Sequence, residues 1–314
     1  MPGAVAAHVT VDIDRQCPAC GGSDFRDWRI ADSLRTHTCR SCGLILSSMS
    51  RRRAKLGQYE NVDLHAYMSS VGALRDEQST KILSVVRRHA RQGARVLDIG
   101  CGFGSFLQRA REAGYSVAGV EPNAEAWAGA CKALGEGVVS NGTLPQVKLP
   151  AGSADVVTTL DVLEHVPVVD HAAFARAVAD VLAPGGIWII KVPSTEGLYY
   201  HASAMMARLL PRVGAVFMHR LWQTDYEFPH QVYFSRATLG AWLHRYGFAM
   251  MGSTYLPEVP LRTIIHRLTH DGDINRWQAY GLVPAVFIMN TIEWLRRRSD
   301  ALVVVARRRR ADTP

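Results

Sequence analysis

Val96-Leu-Asp-Ile-Gly-Cys-Gly-Phe-Gly-Ser-Phe106, followed by Val117-Ala-Gly-Val-Glu-Pro-Asn123, decides the fold of this chain. Each stretch is an apolar run that ends in an acid, and Glu121 stands 23 positions after Asp98. Short apolar runs read as buried strands, and the glycines after the first read as a tight turn that opens a helix. A strand, turn, helix and second parallel strand bring Asp98 and Glu121 to the same carboxyl edge. That edge is where such sheets build a site for a nucleoside-bearing ligand.

The same rhythm extends outward. A helix over Leu74–His89 leads into strand Arg95–Ile99, helix Gly104–Ala113, strand Ser116–Val120 and helix Ala124–Leu134. A short strand near Gly137–Val139 and the loop Asn141–Leu144 follow. Then come strand Ala154–Leu160, helix Asp170–Leu182, the turn Ala183-Pro-Gly-Gly186 and strand Ile187–Val192. Alternating strands and helices predict an α/β fold with a doubly wound, mostly parallel Rossmann-like sheet. After Pro193 the rhythm changes to an apolar, Met-rich stretch, an aromatic-rich one and a helix at Arg236–Arg245. Strands at Ala249–Tyr255 and Ala301–Arg307, joined by a largely helical insertion, predict an antiparallel finish.

At 314 residues the chain has room for one large domain and a smaller module. With 48% hydrophobic and 20% charged residues it has the composition of a soluble globular protein. No signal peptide or membrane-spanning run is recognised, so a cytoplasmic location is expected, with peripheral membrane contact as its variant. The net charge of +8 suggests nucleic acid as a partner, but much of it sits in Arg51–Arg53, Arg296–Arg298 and Arg307–Arg310. Clusters of this kind read first as solvated linker, helix end and tail.

Four of the six cysteines form Cys17-Pro-Ala-Cys20 and Cys39-Arg-Ser-Cys42, with 18 residues between the pairs. Each pair can aim two thiolates at one ion, and two pairs complete a tetrahedral site. Gly21 and Gly43 follow the pairs, where a metal knuckle needs permissive backbone. A closed four-cysteine set leaves no open coordination position, so the expected zinc is structural; two disulfides are the competing reading. The predicted organisation is a tail (1–14), a small zinc ribbon (15–47), a linker (48–73) and the main domain (74–310). The main domain carries lid-like insertions at about 196–235 and 258–298. Cys101 and Cys131 read as packed side chains.

Gly100, Gly102 and Gly104 read Gly-x-Gly-x-Gly, not the Gly-x-Gly-x-x-Gly of a dinucleotide turn, and Ser105 takes the last position of that pattern. An acid two residues before the first glycine would repel a phosphate, but it suits a cationic amino group. Glu121 suits a ribose diol, whose two hydroxyls can donate to one carboxylate. An amino acid joined to a nucleoside without phosphates satisfies both.

Over roughly residues 75 to 257 and the last strand, the chain resembles class I S-adenosylmethionine-dependent methyltransferases. The matching motifs are Val96–Gly104, Gly119–Pro122, Asp155–Val157, Asp161-Val-Leu-Glu-His165 and Leu182–Ile187, in order and at suitable intervals. The resemblance implies S-adenosylmethionine as cofactor, with Asp98 and Gly100 at its methionine end and Glu121 on its ribose. Thr143 and Leu144 would meet its adenine edge, Gly102 and Gly104 would complete the turn, and Asp161 would lie near the sulfonium. With its cysteine-rich front end the chain also resembles bacterial small-molecule methyltransferases acting on sugars, quinone-like rings or secondary metabolites.

Methyl transfer to a hydroxyl or an enolisable carbon needs a base. Asp161 and His165 follow the fourth strand of the main sheet, and His230 lies in Phe228-Pro-His-Gln-Val-Tyr-Phe-Ser235, so all three are candidates. The run Asp161–His165 is similar to a Glu-x-x-Glu-His run of ubiquinone-pathway O-methyltransferases implicated in divalent-metal binding. Here Asp replaces its first Glu. Glu164 and His165 can equally brace the turn. Trp222, Tyr226 and Tyr233 are candidates to line an acceptor pocket. Segments 198–222 and 280–295 read as a packed lid, with membrane or lipid contact as the second reading. The leading expectation is O- or C-methylation of a small-molecule acceptor. The alternatives are an RNA methyltransferase and a non-catalytic binding protein with the same fold.

Overall fold

The computed structural model describes residues 16–31, 34–47, 64–224, 228–257 and 276–309. The expected tail, linker residues 48–63 with Arg51–Arg53, Tyr226, the first part of the second insertion, and Arg310 lie outside the described residues. The rest of the expected linker, 64–73, is already helix, so the helix expected from Leu74 begins at Leu64.

Two sheets organise the molecule. The larger has seven strands in the order β10-β11-β8-β7-β4-β5-β6. Its parallel part is β4 (Arg95–Ile99), β5 (Ser116–Glu121), β6 (Val139–Asn141), β7 (Ala154–Leu160) and β8 (Leu182–Pro193). β11 (Ala301–Arg308) runs antiparallel to both β8 and β10 (Phe248–Leu256). This is the predicted doubly wound sheet with an antiparallel last strand. β11 lies between two neighbours, and its Ala301–Ala306 run is buried throughout. That explains why it reads as unbroken apolar sequence instead of alternating.

The chain order turns around at β4: it goes outward through β5 and β6, then returns to β7 and β8 on the other side. The carboxyl ends of β4 and β7 therefore flank a topological switch point, where such sheets open a crevice. Helices α2 (Ser105–Glu112), α3 (Ala124–Leu134) and α4 (His171–Val181) supply the connections, and α1 (Leu64–His89) packs beside α2. Asn123 caps α3 by accepting from the Ala126 amide at 2.8 Å, which satisfies one of the helix's orphan donors.

One expected turn is a bulge. Ala154 pairs with Leu182 and Val156 with Ile187, so Ala183–Gly186 loop out within β8. Gly185 has φ 78° there, a conformation open to glycine at little steric cost. Behind β8, Trp188, Trp242 and Phe248 are fully buried and pack edge to face. Each such side chain contributes roughly 1.5–3 kcal/mol of burial.

The smaller sheet has the order β1-β2-β3-β9, built from β1 (Phe25–Ala31), β2 (Leu34–Cys39) and β3 (Ile45–Ser47). Its fourth strand, β9 (Val232–Tyr233), comes from the far end of the first insertion, with Ile45 opposite Tyr233 and Leu46 opposite Val232. Leu44 and Leu46 join the main hydrophobic core with Phe234, Leu239 and Trp242. α5 (Leu198–Leu209) and α6 (Pro211–Trp222) pack on each other and, through Tyr200, Met218 and Trp222, on the smaller sheet. α7 (Arg236–Arg245) precedes β10, and α8 (Arg276–Arg296) precedes β11. No described helix is long and apolar enough to cross a membrane.

Candidate active site

At the switch point β4 ends in Asp98-Ile99, and the glycine turn follows. Gly100 has φ 72°, and a Cβ there would lie 2.6 Å from Val162 Cγ2. Only glycine fits both the angle and the space. Asp98 is buried and accepts a 2.6 Å hydrogen bond from Thr158 Oγ1 on β7. Burial pushes its carboxyl up to about 7, against the Thr158 hydrogen bond; the Glu121 charge raises it further and Arg75 opposes. A cationic group placed beside Asp98 would relieve that penalty.

Glu121 ends β5 and is also buried. Its Oε2 accepts from the Gly102 amide at 2.7 Å and its Oε1 from the Asn123 amide at 2.8 Å. Burial raises its pKa, against these two amides and Arg75. Besides any ligand role, Glu121 thus ties the glycine turn to the start of α3. Its backbone carbonyl accepts from Asn141 Nδ2 and from the Gly142 amide, both at 3.0 Å, which fixes the loop holding Thr143 and Leu144. Thr143 Oγ1 bonds Gln146, and Leu144 is buried in the main core.

An open cleft runs along this edge, lined by Asp98, Gly100, Phe103, Asp161, Lys191 and, from α1, Arg75 and Gln78. It collects Asp98, Gly100 and Asp161 among the expected site residues. Gly102, Gly104, Glu121, Thr143 and Leu144 are not among its lining residues and extend the same edge toward β5 and β6. Cys101 lines it as well, but burial raises its thiol pKa first of all, with Asp98 and Glu121 adding to the shift, so it stays protonated.

Two lining cations escaped the sequence reading. Lys191 on β8 is nearly buried, and its Nζ lies 2.7 Å from both Asp161 oxygens. Asp161 itself has φ 60°, a conformation that non-glycine residues rarely adopt. The other is Arg75, whose charge acts on both Asp98 and Glu121.

Beyond Asp161, a short 3-10 turn (Leu163–His165) presents Glu164 and His165, and the Gln231 amide donates to the Glu164 carbonyl at 2.6 Å. This contact brings His230 to His165: the ring centroids are 4.8 Å apart at 57°. Burial depresses both pKa values, with Asp161 opposing at His165 and His165 adding to the effect at His230. Both rings are neutral at pH 7, the state in which imidazole accepts a proton. Neither Nδ1 has a hydrogen-bond partner among the described residues. His165 keeps partial exposure, whereas His230 is buried. Trp222 and Tyr233 are buried beside His230, with the Tyr233 ring 5.4 Å from it and its hydroxyl on the Leu221 carbonyl.

The run Asp161–His165 does not gather its own donors around one point, because both Asp161 oxygens lie 2.7 Å from Lys191 Nζ. Donor atoms of Glu164, His165 and His230 lie within 4.8 Å of one another instead. In the ribbon the four cysteines converge. Cys17 Sγ is 3.6 Å from Cys42 Sγ and Cys20 Sγ is 3.6 Å from Cys39 Sγ. These separations fit the ~3.8 Å edge of a tetrahedron of thiolates around zinc and are too long for a disulfide. Gly21 and Gly43, at φ 79° and 84°, make the two knuckle turns.

Comparison with known proteins decides the family. Residues 73–251 match a family model described as a methyltransferase domain. The chain belongs to the methyltransferase family. It is 32% identical over 211 residues to a ubiquinone biosynthesis O-methyltransferase of Nitrosococcus oceani, covering 63% of this chain and 81% of that protein. The namesake from Xanthomonas axonopodis pv. citri is 30% identical over 201 residues, covering 61% and 77%. Among solved structures, an S-adenosylmethionine-dependent methyltransferase from Archaeoglobus fulgidus shares the fold at TM-score 0.50 and 20% identity, over 76% of this chain and 98% of that one. A cyclopropane synthase from Mycobacterium tuberculosis does so at TM-score 0.51 and 19% identity, over 73% and 84%. This methyltransferase uses S-adenosylmethionine. The non-catalytic reading falls with it.

Proposed function

We propose that the protein methylates a ring hydroxyl of a phenol- or quinol-type acceptor, with a neutral histidine as the base. The carrying observation is the pairing of an open cleft, built on the buried Asp98, with two neutral imidazoles just beyond it. The relatives named for ubiquinone biosynthesis supply the acceptor class.

When bound, S-adenosylmethionine supplies a methyl group made electrophilic by the adjacent sulfonium. Asp98 holds the amino group of its methionine end, Gly100 lets the backbone approach, and Glu121 takes the ribose hydroxyls. Thr143 and Leu144 border the adenine. Gly102 and Gly104 shape the turn between these contacts. Asp161 is held by Lys191 and serves to shape the sulfonium side of the cleft; a carboxylate paired this way is a poor base. His165, partly exposed and neutral, takes the hydroxyl proton at a ring nitrogen. His230 packs against it, keeps water out and fixes its orientation. Trp222 and Tyr233 wall the acceptor side.

A zinc ion held by Cys17, Cys20, Cys39 and Cys42 would be structural. It would stiffen the ribbon whose β3 grips β9 and, through it, the segment carrying His230. The ribbon (15–47), linker and main domain (74–310) are then separate in sequence but joined at the acceptor side.

The test is the pH profile of kcat with a catechol acceptor in His165→Asn and His230→Asn. His165→Asn should lose the limb set by the base and most of the rate, while cofactor affinity stays. A full rate and an unchanged limb in His165→Asn would move the base to His230 or to solvent.

A further inference from the structure

α8 is turned inside out. On an ordinary surface helix the polar groups face solvent and the apolar stripe faces the core. Here Glu293 and Asn290 turn inward. Glu293, the only acid between residues 276 and 296, is buried. It accepts from the Leu198 amide and from Ser299 Oγ, both at 2.7 Å, while Asn290 Oδ1 accepts from the Tyr199 hydroxyl at 3.0 Å. Val286 completes this narrow inner stripe.

The outward face carries Trp277, Tyr280, Phe287, Ile288, Trp294 and Leu295. Trp277 is 85% exposed and Trp294 76%, far more than large aromatic side chains ordinarily are. The helix then runs into Arg296, Arg297 and Arg298, of which Arg296 and Arg297 are exposed and Arg298 faces Glu196 at 3.5 Å. The surface is thus apolar, rimmed by cations and free of outward carboxylates among the described residues of the helix. Its neighbour α5–α6 repeats the pattern on a smaller scale, with exposed Leu209, Leu210 and Val213 beside Arg208 and Arg212.

We propose that this face of α8 rests on an anionic lipid surface, with its aromatic and aliphatic side chains in the headgroup boundary and Arg296 and Arg297 on the phosphates. Tryptophans along the face and arginines at its end are the arrangement that interfacial helices use. A second copy of the chain fits poorly, since two molecules of net charge +8 would bring their arginine clusters together. Nucleic acid offers phosphates but no apolar counterpart to Ile288 and Leu295. The helix lies beyond residues 73–251, so the surface is an addition to the matched methyltransferase domain. It stands independently of which hydroxyl is methylated, because binding is read without substrate.

The experiment uses the full chain and co-sedimentation with vesicles of phosphatidylcholine alone or mixed with phosphatidylglycerol. Binding is expected to the mixed vesicles and to weaken with salt, with tryptophan fluorescence quenched by brominated lipid. Trp277→Ser together with Trp294→Ser should weaken binding at least about tenfold without changing the melting temperature. Arg296→Gln with Arg297→Gln should erase the preference for phosphatidylglycerol. No binding to mixed vesicles, or equal binding by the tryptophan variant, overturns the proposal. So does a dimer in lipid-free buffer that the tryptophan variant dissolves.

Discussion

Lys191 and Asp161 close on each other at the carboxyl edge of the sheet, with Nζ 2.7 Å from each carboxylate oxygen. The pair holds Asp161 in its left-handed conformation and sets the floor of the cleft beside Asp98. Lys191→Met should cost about 2 kcal/mol of stability, below the range for fully buried pairs because the Asp161 side chain is 31% exposed. Cofactor affinity should fall with it, and Lys191→Arg should recover part of both. Thermal melts and calorimetric titration check this.

Asp98 gives opposite pH trends for binding and stability. Its folded-state pKa is raised to about 7 by burial. The native protein therefore retains a proton that the unfolded chain has already released at mildly acidic pH. Stability from this group is complete below the ordinary carboxylate range and declines as pH rises through about 7. S-adenosylmethionine, needing the carboxylate, should bind more tightly over the same rise. Asp98→Asn should bind weakly and show neither trend.

Glu121 is expected to matter for both ligand and fold. Glu121→Ala removes the acceptor of the Gly102 and Asn123 amides. It should lower stability by about 1–3 kcal/mol as well as weaken cofactor binding. Glu121→Gln keeps one acceptor oxygen but turns an NH2 toward the other amide, so it should recover only part of the stability lost in Glu121→Ala.

Zinc removal should be felt at the acceptor side. β3 pairs with β9 through Leu46 and Val232, and the Ser47 amide donates to the Gln231 carbonyl at 2.9 Å. Chelation is expected to raise hydrogen exchange at the backbone amides of Gln231 to Tyr233 and to reduce turnover. Calorimetric affinity for S-adenosylmethionine should stay within about twofold, since the ribbon strands pair with β9 and not with the sheet that carries the cofactor residues.

The sheet, its switch point and the two cysteine pairs were legible because each is local: an apolar run, a glycine turn, a fixed spacing. Asp98, Gly100 and Asp161 duly meet in one cleft. Lys191 was not legible, since a single basic residue in Ile187–Val192 reads as noise in a core strand until Asp161 is seen opposite it. β9 is two residues long and has no periodicity to find. Its partner lies about 185 positions earlier in the chain, a separation no local pattern encodes. The approach of His165 to His230 has the same long-range origin. The bulge at Ala183–Gly186 carries ordinary turn residues and shows its nature only through the β7 register.

The central claim is methyl transfer from S-adenosylmethionine to a ring hydroxyl with His165 as base. The most direct measurement supplies methyl-tritiated S-adenosylmethionine to the purified protein with a catechol-type phenol, a sugar nucleotide and total RNA in parallel. Label recovered as an aryl methyl ether, lost in His165→Asn and in Asp98→Asn, is the result predicted here. Label in RNA or in the sugar nucleotide, or an aryl ether formed equally well by His165→Asn, would contradict it.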